Sequence, residues 1–131
     1  MKIFLDTADV AQIREALRWG IIDGVTTNPT HVAKTGADPH KLYPEICALV
    51  PGPVSLETIS LEADGIVAEG RELARIGKNV VVKVPVTREG LVAVRRLASE
   101  GIPSNVTVTM LCSVAARVAA PYRVSRKPLY R

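Results

Sequence analysis

The chain has 131 residues, 47% of them hydrophobic and 23% charged, a balance that suits a globular domain with a core of its own. The net charge of +4 is concentrated at one end: residues 117–131 hold five of the 17 basic side chains and none of the 13 acidic ones, which leaves the first 116 at −1. No apolar run approaches the ~20 residues of a membrane-spanning helix, the opening M-K-I-F-L-D-T-A-D turns acidic too early for a signal peptide, and the basic tail carries no aromatic stacking pattern that would make it a nucleic-acid surface rather than a solvated end.

K-I-F-L-D, residues 2–6, reads as a first short strand. Thr7 suits the cap of a helix whose Val10, Ile13, Ala16 and Leu17 recur at helical spacing, and Gly20 ends it. I-I-D-G-V-T-T, 21–27, is a second strand. Helical spacing returns at Leu42, Ile46, Leu49 and Val50. P-G-P then breaks the chain, and V-S-L-E-T-I, 54–59, is a third strand. Ser60 is placed to cap a helix with Ile66, Val67, Gly70, Leu73 and Ala74 on one face. N-V-V-V-K-V-P-V-T, 79–87, holds a fourth strand, and Thr87 caps a helix with Leu91, Val94, Leu97 and Ala98 before Gly101. S-N-V-T-V-T-M, 104–110, is a fifth strand, followed by a helical pattern from Met110 to Ala120. Cys47 and Cys112 have neither zinc spacing nor a C-x-x-C pattern and read as free thiols of a reducing cytoplasm.

Strands alternating with helices predict parallel βαβ units. Two architectures fit: an open doubly wound sheet, or part of a (β/α)8 barrel. The Gly-rich fingerprints of nucleotide-binding folds are missing from the sequence. The polar residues point to the barrel. Asp6 ends the first strand, Thr26, Thr27 and Asn28 close the second, Glu57 lies near the end of the third, Lys83 in the second half of the fourth, and Asn105 and Thr107 in the fifth. Barrel enzymes gather catalytic groups from the C-terminal ends of several strands. Singly, Asp6 and Asn28 suit turns or caps, Glu57 suits a surface, and threonine is routine in strands. Lys83 is the exception, a lysine bracketed by valines in a central strand. If it faces inward, Val81 and Pro85 share its face while Val80, Val82 and Val84 pack outward. Pro29 keeps Asn28 extended at the end of its strand.

F-L-D-T-A, G-V-T-T-N-P-T, G-P-V-S-L-E-T-I-S, N-V-V-V-K-V-P-V-T, G-L-V-A-V-R-R-L and E-G-I-P-S-N-V-T-V occur in this order between Lys2 and about Thr109. Together they resemble the small transaldolases and their relatives, the fructose-6-phosphate aldolases. The resemblance implies a class I aldolase barrel and a transferase that moves a dihydroxyacetone unit between sugar phosphates in the pentose phosphate pathway, with no metal or organic cofactor. It implies that Lys83 forms the Schiff base with a ketose, that Asp6 handles the proton of the C4 hydroxyl, and that Glu57 acts through a water on the carbinolamine. Asn28 and Asn105 match asparagines that hold substrate hydroxyls, and Thr107 a threonine beside that water. Thr26 joins them as a substrate-binding candidate. Glu57, where the aldolase relatives typically carry glutamine, favours transaldolase over lyase. A lysine amine attacks a carbonyl only when neutral, and the valine-rich strand is expected to supply a desolvating surround.

The resemblance weakens after the fifth strand. L-C-S-V-A-A-R, 111–117, departs from the family, and P-Y-R-V-S-R-K-P-L-Y-R matches nothing familiar. The expected division is therefore 1–116 as the N-terminal portion of a (β/α)8 barrel, about five parallel strands, and 117–131 as a divergent basic tail. Family members continue through three more strands that carry a serine and an arginine for the sugar phosphate. Without counterparts of these, transaldolase activity is expected to be impaired, with a non-catalytic half-barrel as the alternative. Open sheet edges lead to the expectation of a homo-oligomer.

Overall fold

Ten elements follow one another along the described residues: β1 (Phe4–Asp6), α1 (Val10–Trp19), β2 (Gly24–Thr26), α2 (Pro29–Thr35), α3 (Pro39–Leu49), β3 (Val54–Glu57), α4 (Ala63–Ile76), β4 (Val80–Pro85), α5 (Arg88–Ser99) and β5 (Ser104–Thr107). The computed structural model describes residues 1–107. The rest of the predicted fifth strand, the helical pattern at 110–120, Cys112 and the basic tail lie outside the described residues.

The strands form one parallel sheet in the order β1-β2-β3-β4-β5. That order bears out the barrel reading over the doubly wound sheet. A doubly wound sheet reverses its strand order partway to place helices on both faces. Here each strand adds to the same side of the one before, as in barrel winding, and the sheet is not closed over the described residues. The core follows the same logic. The strand residues in the two apolar clusters are Val25, Val54, Leu56 and Val80 in one and Val82 and Val84 in the other. All lie on one parity of the pleat. They meet Ile13 of α1, Val32 of α2, Leu42 and Ile46 of α3, Ile66 and Val67 of α4, and Ala93 and Leu97 of α5. Val82, Val84, Ile66 and Leu97 are fully buried, and burying a side chain of this size stabilises the fold by about 1.5–3 kcal/mol. The opposite face is left for Asp6, Thr26, Ser55, Glu57, Val81, Lys83 and Asn105.

Several local expectations shift by a few residues. Helix α1 is capped by Asp9, whose carboxylate accepts from the backbone N–H groups of Ala11 and Gln12. Thr7 is buried and its hydroxyl is already used by Gln12 Oε1 and the Asp9 N–H, so it is not free to cap. Gly20 ends α1 in the left-handed conformation, φ 68°. Helix α4 begins at Ala63 rather than beside Ser60. Ser60 is instead held by Glu69 of α4, whose carboxylate accepts from the Ile59 and Ser60 N–H groups and from the Ser60 hydroxyl. Thr87 does cap α5, accepting from the Gly90 N–H at 2.9 Å. The second strand shrinks to three residues, and α2, which the hydrophobic pattern did not reveal, follows at once. Asn28 stays extended before Pro29, φ −149° and ψ 163°, and in that conformation caps α2 by accepting from the His31 N–H at 2.9 Å. Proline at the first helical position explains why so short a helix forms there. At the other end of the sheet, Asn79 Nδ2 donates to the carbonyls of Cys47, Val50 and Gly52, tying the α3–β3 loop to the start of β4.

Candidate active site

Register decides which polar groups meet. Glu57 is the Cα partner of Lys83, Lys83 of Asn105, and Asp6 of Thr26. In a parallel sheet such partners share a face, and their side chains project together beyond the strand ends. Lys83 Nζ lies 3.0 Å from Glu57 Oε2 and donates to the Thr27 carbonyl at 3.3 Å. The side chains of Lys83 and Glu57 are only 13% and 21% exposed. The valines on either side of Lys83 turn to the helices, because successive side chains alternate faces. The amine thus meets a carboxylate and a carbonyl rather than the strand's own valines.

Next to this pair, Asn105 Nδ2 donates to Ser55 Oγ at 3.3 Å. A second group forms over β1 and β2. The Thr26 hydroxyl donates to Asp6 Oδ1 at 2.9 Å, and His31 Nε2 lies 3.4 Å from Asp6 Oδ2. The two groups share one open cavity of about 470 Å³, lined by Asn28, Pro29, Thr30, His31, Glu57 and Lys83. Of the residues singled out from sequence, Lys83, Glu57 and Asn28 line this cavity directly. Asp6 and Thr26 join it through His31. Asn105 stands in register beside Lys83, whereas Thr107 pairs with Pro85 nearer the end of its strand. Among the described residues, no three His, Cys, Asp or Glu side chains come together as a metal site would require, and no helix is long and apolar enough to cross a membrane.

A profile described as Transaldolase/Fructose-6-phosphate aldolase matches residues 3–121. The chain belongs to the transaldolase/fructose-6-phosphate aldolase family. It is 56% identical over 125 residues to a probable transaldolase of Aquifex aeolicus, an alignment covering 93% of this chain and 58% of that protein. A probable transaldolase of Hydrogenobaculum is 52% identical over 125 residues, and one of Methanococcus maripaludis 50%, each at the same coverage of 93% and 58%. The chain therefore spans about 58% of the length of the curated relatives it matches. In this transaldolase-family chain, two residues near the site escaped the sequence reading. His31 was hidden because α2 was not recognised; Asn28-Pro29, a cap followed by proline, is the signal that would have placed residue 31 in a first helical turn above the strand ends. Tyr43 of α3 lines a second cavity, about 690 Å³, with Glu57 and residues of α4. Burial, and then the charge of Glu57, push the Tyr43 phenol above its ordinary value. Nothing local in the sequence marks it, since it sits beside Leu42 in the helical pattern of α3 and its site partner Glu57 lies on a strand.

Proposed function

We propose that this chain carries the Schiff-base apparatus of a transaldolase, a transferase that moves a dihydroxyacetone unit between sugar phosphates. The observation that carries the reading is the Lys83–Glu57 pair, 3.0 Å apart and largely buried on the inner face of the sheet, opening into a cavity of about 470 Å³. Proton transfer from the ammonium to Glu57 would free the amine to attack a ketose C2 carbonyl. Glu57, directly or through a water, would return the proton to the carbinolamine oxygen so that water leaves and the imine forms. The protonated imine draws electrons from the C3–C4 bond. Asp6 takes the C4 hydroxyl proton, the aldehyde departs, and the remaining three carbons stay on Lys83 as an enamine. Attack of that enamine on an acceptor aldehyde reverses the sequence. Asn28, Asn105, Thr26 and Thr107 are the proposed contacts to the sugar hydroxyls and the reacting water. The reaction would belong to cytoplasmic pentose phosphate metabolism. A homo-oligomer is part of the proposal, since over the described residues β1 and β5 each have a strand neighbour on one side only.

Glu57 favours transfer over simple aldol cleavage in this reading, because the aldolase relatives that the chain resembles typically carry glutamine at that position. Incubation with fructose 6-phosphate and borohydride, followed by intact-mass measurement, tests the proposal. One reduced sugar adduct per chain is expected, and none in Lys83→Met. An adduct that persists in Lys83→Met would move the nucleophile elsewhere.

A further inference from the structure

Asp6 is the most exposed of the proposed catalytic groups, its side chain 60% accessible at the outermost described strand. A carboxylate in water samples several rotamers, and a proton acceptor that must meet one hydroxyl at one moment loses rate to that freedom. Two contacts restrict it. Thr26, its register partner, donates to Oδ1 at 2.9 Å. His31 Nε2 lies 3.4 Å from Oδ2. The histidine is itself well placed. Its backbone N–H is taken by the Asn28 cap, Pro29 starts the turn beneath it, and its side chain is 28% exposed. His31 also lines the cavity with Lys83 and Glu57, so it faces the space where a substrate would lie.

We infer that His31 is a positioning residue for the cleavage step: with Thr26 it holds the Asp6 carboxylate at the angle needed to accept the hydroxyl proton. The inference rests on the proposed role of Asp6. It makes a specific claim about order, since His31 acts through Asp6 and not on the Lys83–Glu57 pair. Imine formation and carbon–carbon cleavage are therefore separable readouts.

The test compares the full chain with His31→Leu, His31→Gln, Asp6→Ala and the His31→Leu/Asp6→Ala double variant. Borohydride-trapped adduct with fructose 6-phosphate reports imine formation, and single-turnover release of the aldehyde product reports cleavage. His31→Leu should lower the ratio of cleavage to imine formation about tenfold, the scale of one lost polar contact to a carboxylate. It should lower it no further once Asp6 is alanine. His31→Gln, whose amide can still donate, should recover most of the loss. Additive losses in the double variant would overturn the inference, because His31 would then act independently of Asp6. A second arm needs no turnover. The chain has two histidines, and His40 lies in the first turn of α3, away from the cavity. In imidazole ¹H–¹⁵N spectra, Asp6→Ala should move the His31 ring signals and leave those of His40 in place. Unmoved His31 signals would overturn the pairing. Absence of any Lys83 adduct in the parent chain would overturn the proposed function and the cleavage role with it, leaving the imidazole spectra to decide the pairing alone.

Discussion

A lysine among valines is the residue that most clearly asked for an explanation, and its partner supplies one. Lys83 lies 3.0 Å from Glu57 and 3.3 Å from the Thr27 carbonyl, so its amine is held by two oxygen groups rather than left among the valines of its own strand. A buried ammonium next to a carboxylate becomes a nucleophile by handing over one proton, a shorter path than losing it to bulk water. Glu57→Gln tests this division of labour. The amide keeps the shape of the side chain but can neither take nor return a proton. Imine formation with fructose 6-phosphate should slow about 10²-fold, the lower range for a positioned acid–base group, while the chain remains folded. The quantity to measure is the rate of borohydride-trapped adduct on rapid mixing, and an unchanged rate would assign the proton transfer to another group. The identity of Lys83 as a site candidate was legible because burial pattern and charge conflict within a few neighbouring residues. The identity of its partner was legible only through family resemblance, since nothing local to Lys83 names a residue on another strand.

At the scale of elements, α5 shows how tightly the helices are set against the strand ends. Gly90 sits in the first turn of α5, its N–H bound to the capping Thr87 hydroxyl. A methyl group there would collide with the Pro85 carbonyl oxygen, at the end of the strand that carries Lys83. Two effects oppose each other in Gly90→Ala. Alanine is the better helix former by about 1 kcal/mol. The collision is with backbone, which cannot rotate away, and overpacking of this kind typically costs about 1–3 kcal/mol. The steric cost should win, so Gly90→Ala is expected to lower the free energy of unfolding by up to about 2 kcal/mol in urea titration. A variant as stable as the parent would show that the first turn of α5 can lift away from β4. Element boundaries were the least legible part of the sequence. Thr7 and Ser60 both have the chemistry of a cap, yet each is engaged by a side chain of the following helix, Gln12 and Glu69. Cap preference is a property of the residue, whereas its use depends on which hydrogen-bond partner the fold brings to it.

For the molecule as a whole, one buried group ties stability to pH. Cys47 of α3 is 8% exposed within the cluster that joins α1, α2 and α3 to the sheet. Burial pushes its thiol from about 9 up to about 11. The folded chain therefore holds that proton more firmly than the unfolded chain. Its contribution is complete below about pH 9 and is lost as pH rises through about 11. Tyr43, raised by burial and by Glu57, acts in the same direction. The parent should lose stability on going from about pH 8 to about pH 11, by about 2 kcal/mol for the thiol alone. Cys47→Val, which keeps an apolar group of similar size, should lose measurably less over that span. Urea midpoints at both pH values check this, and equal losses in the two chains would mean that the thiol is solvated in the fold.

What the sequence determined by itself was the alternation of five strands with every helix but α2, the face on which the residues of the fourth strand lie, and the clustering of polar residues at one set of strand ends. These are local properties: a period of two sets the face of a strand, and a run of valines closed by proline sets its limits. What only the tertiary structure decided was which groups touch. The Lys83–Glu57 and Asp6–Thr26 pairs depend on register between strands, which the intervening helices fix by how they pack. The His31–Asp6 contact depends further on α2, a helix of seven residues held by one cap and one proline. Strand order likewise bore out the barrel winding to which the polar strand ends had pointed. Periodicity carries no information about neighbours distant in the chain, so only packing could settle them.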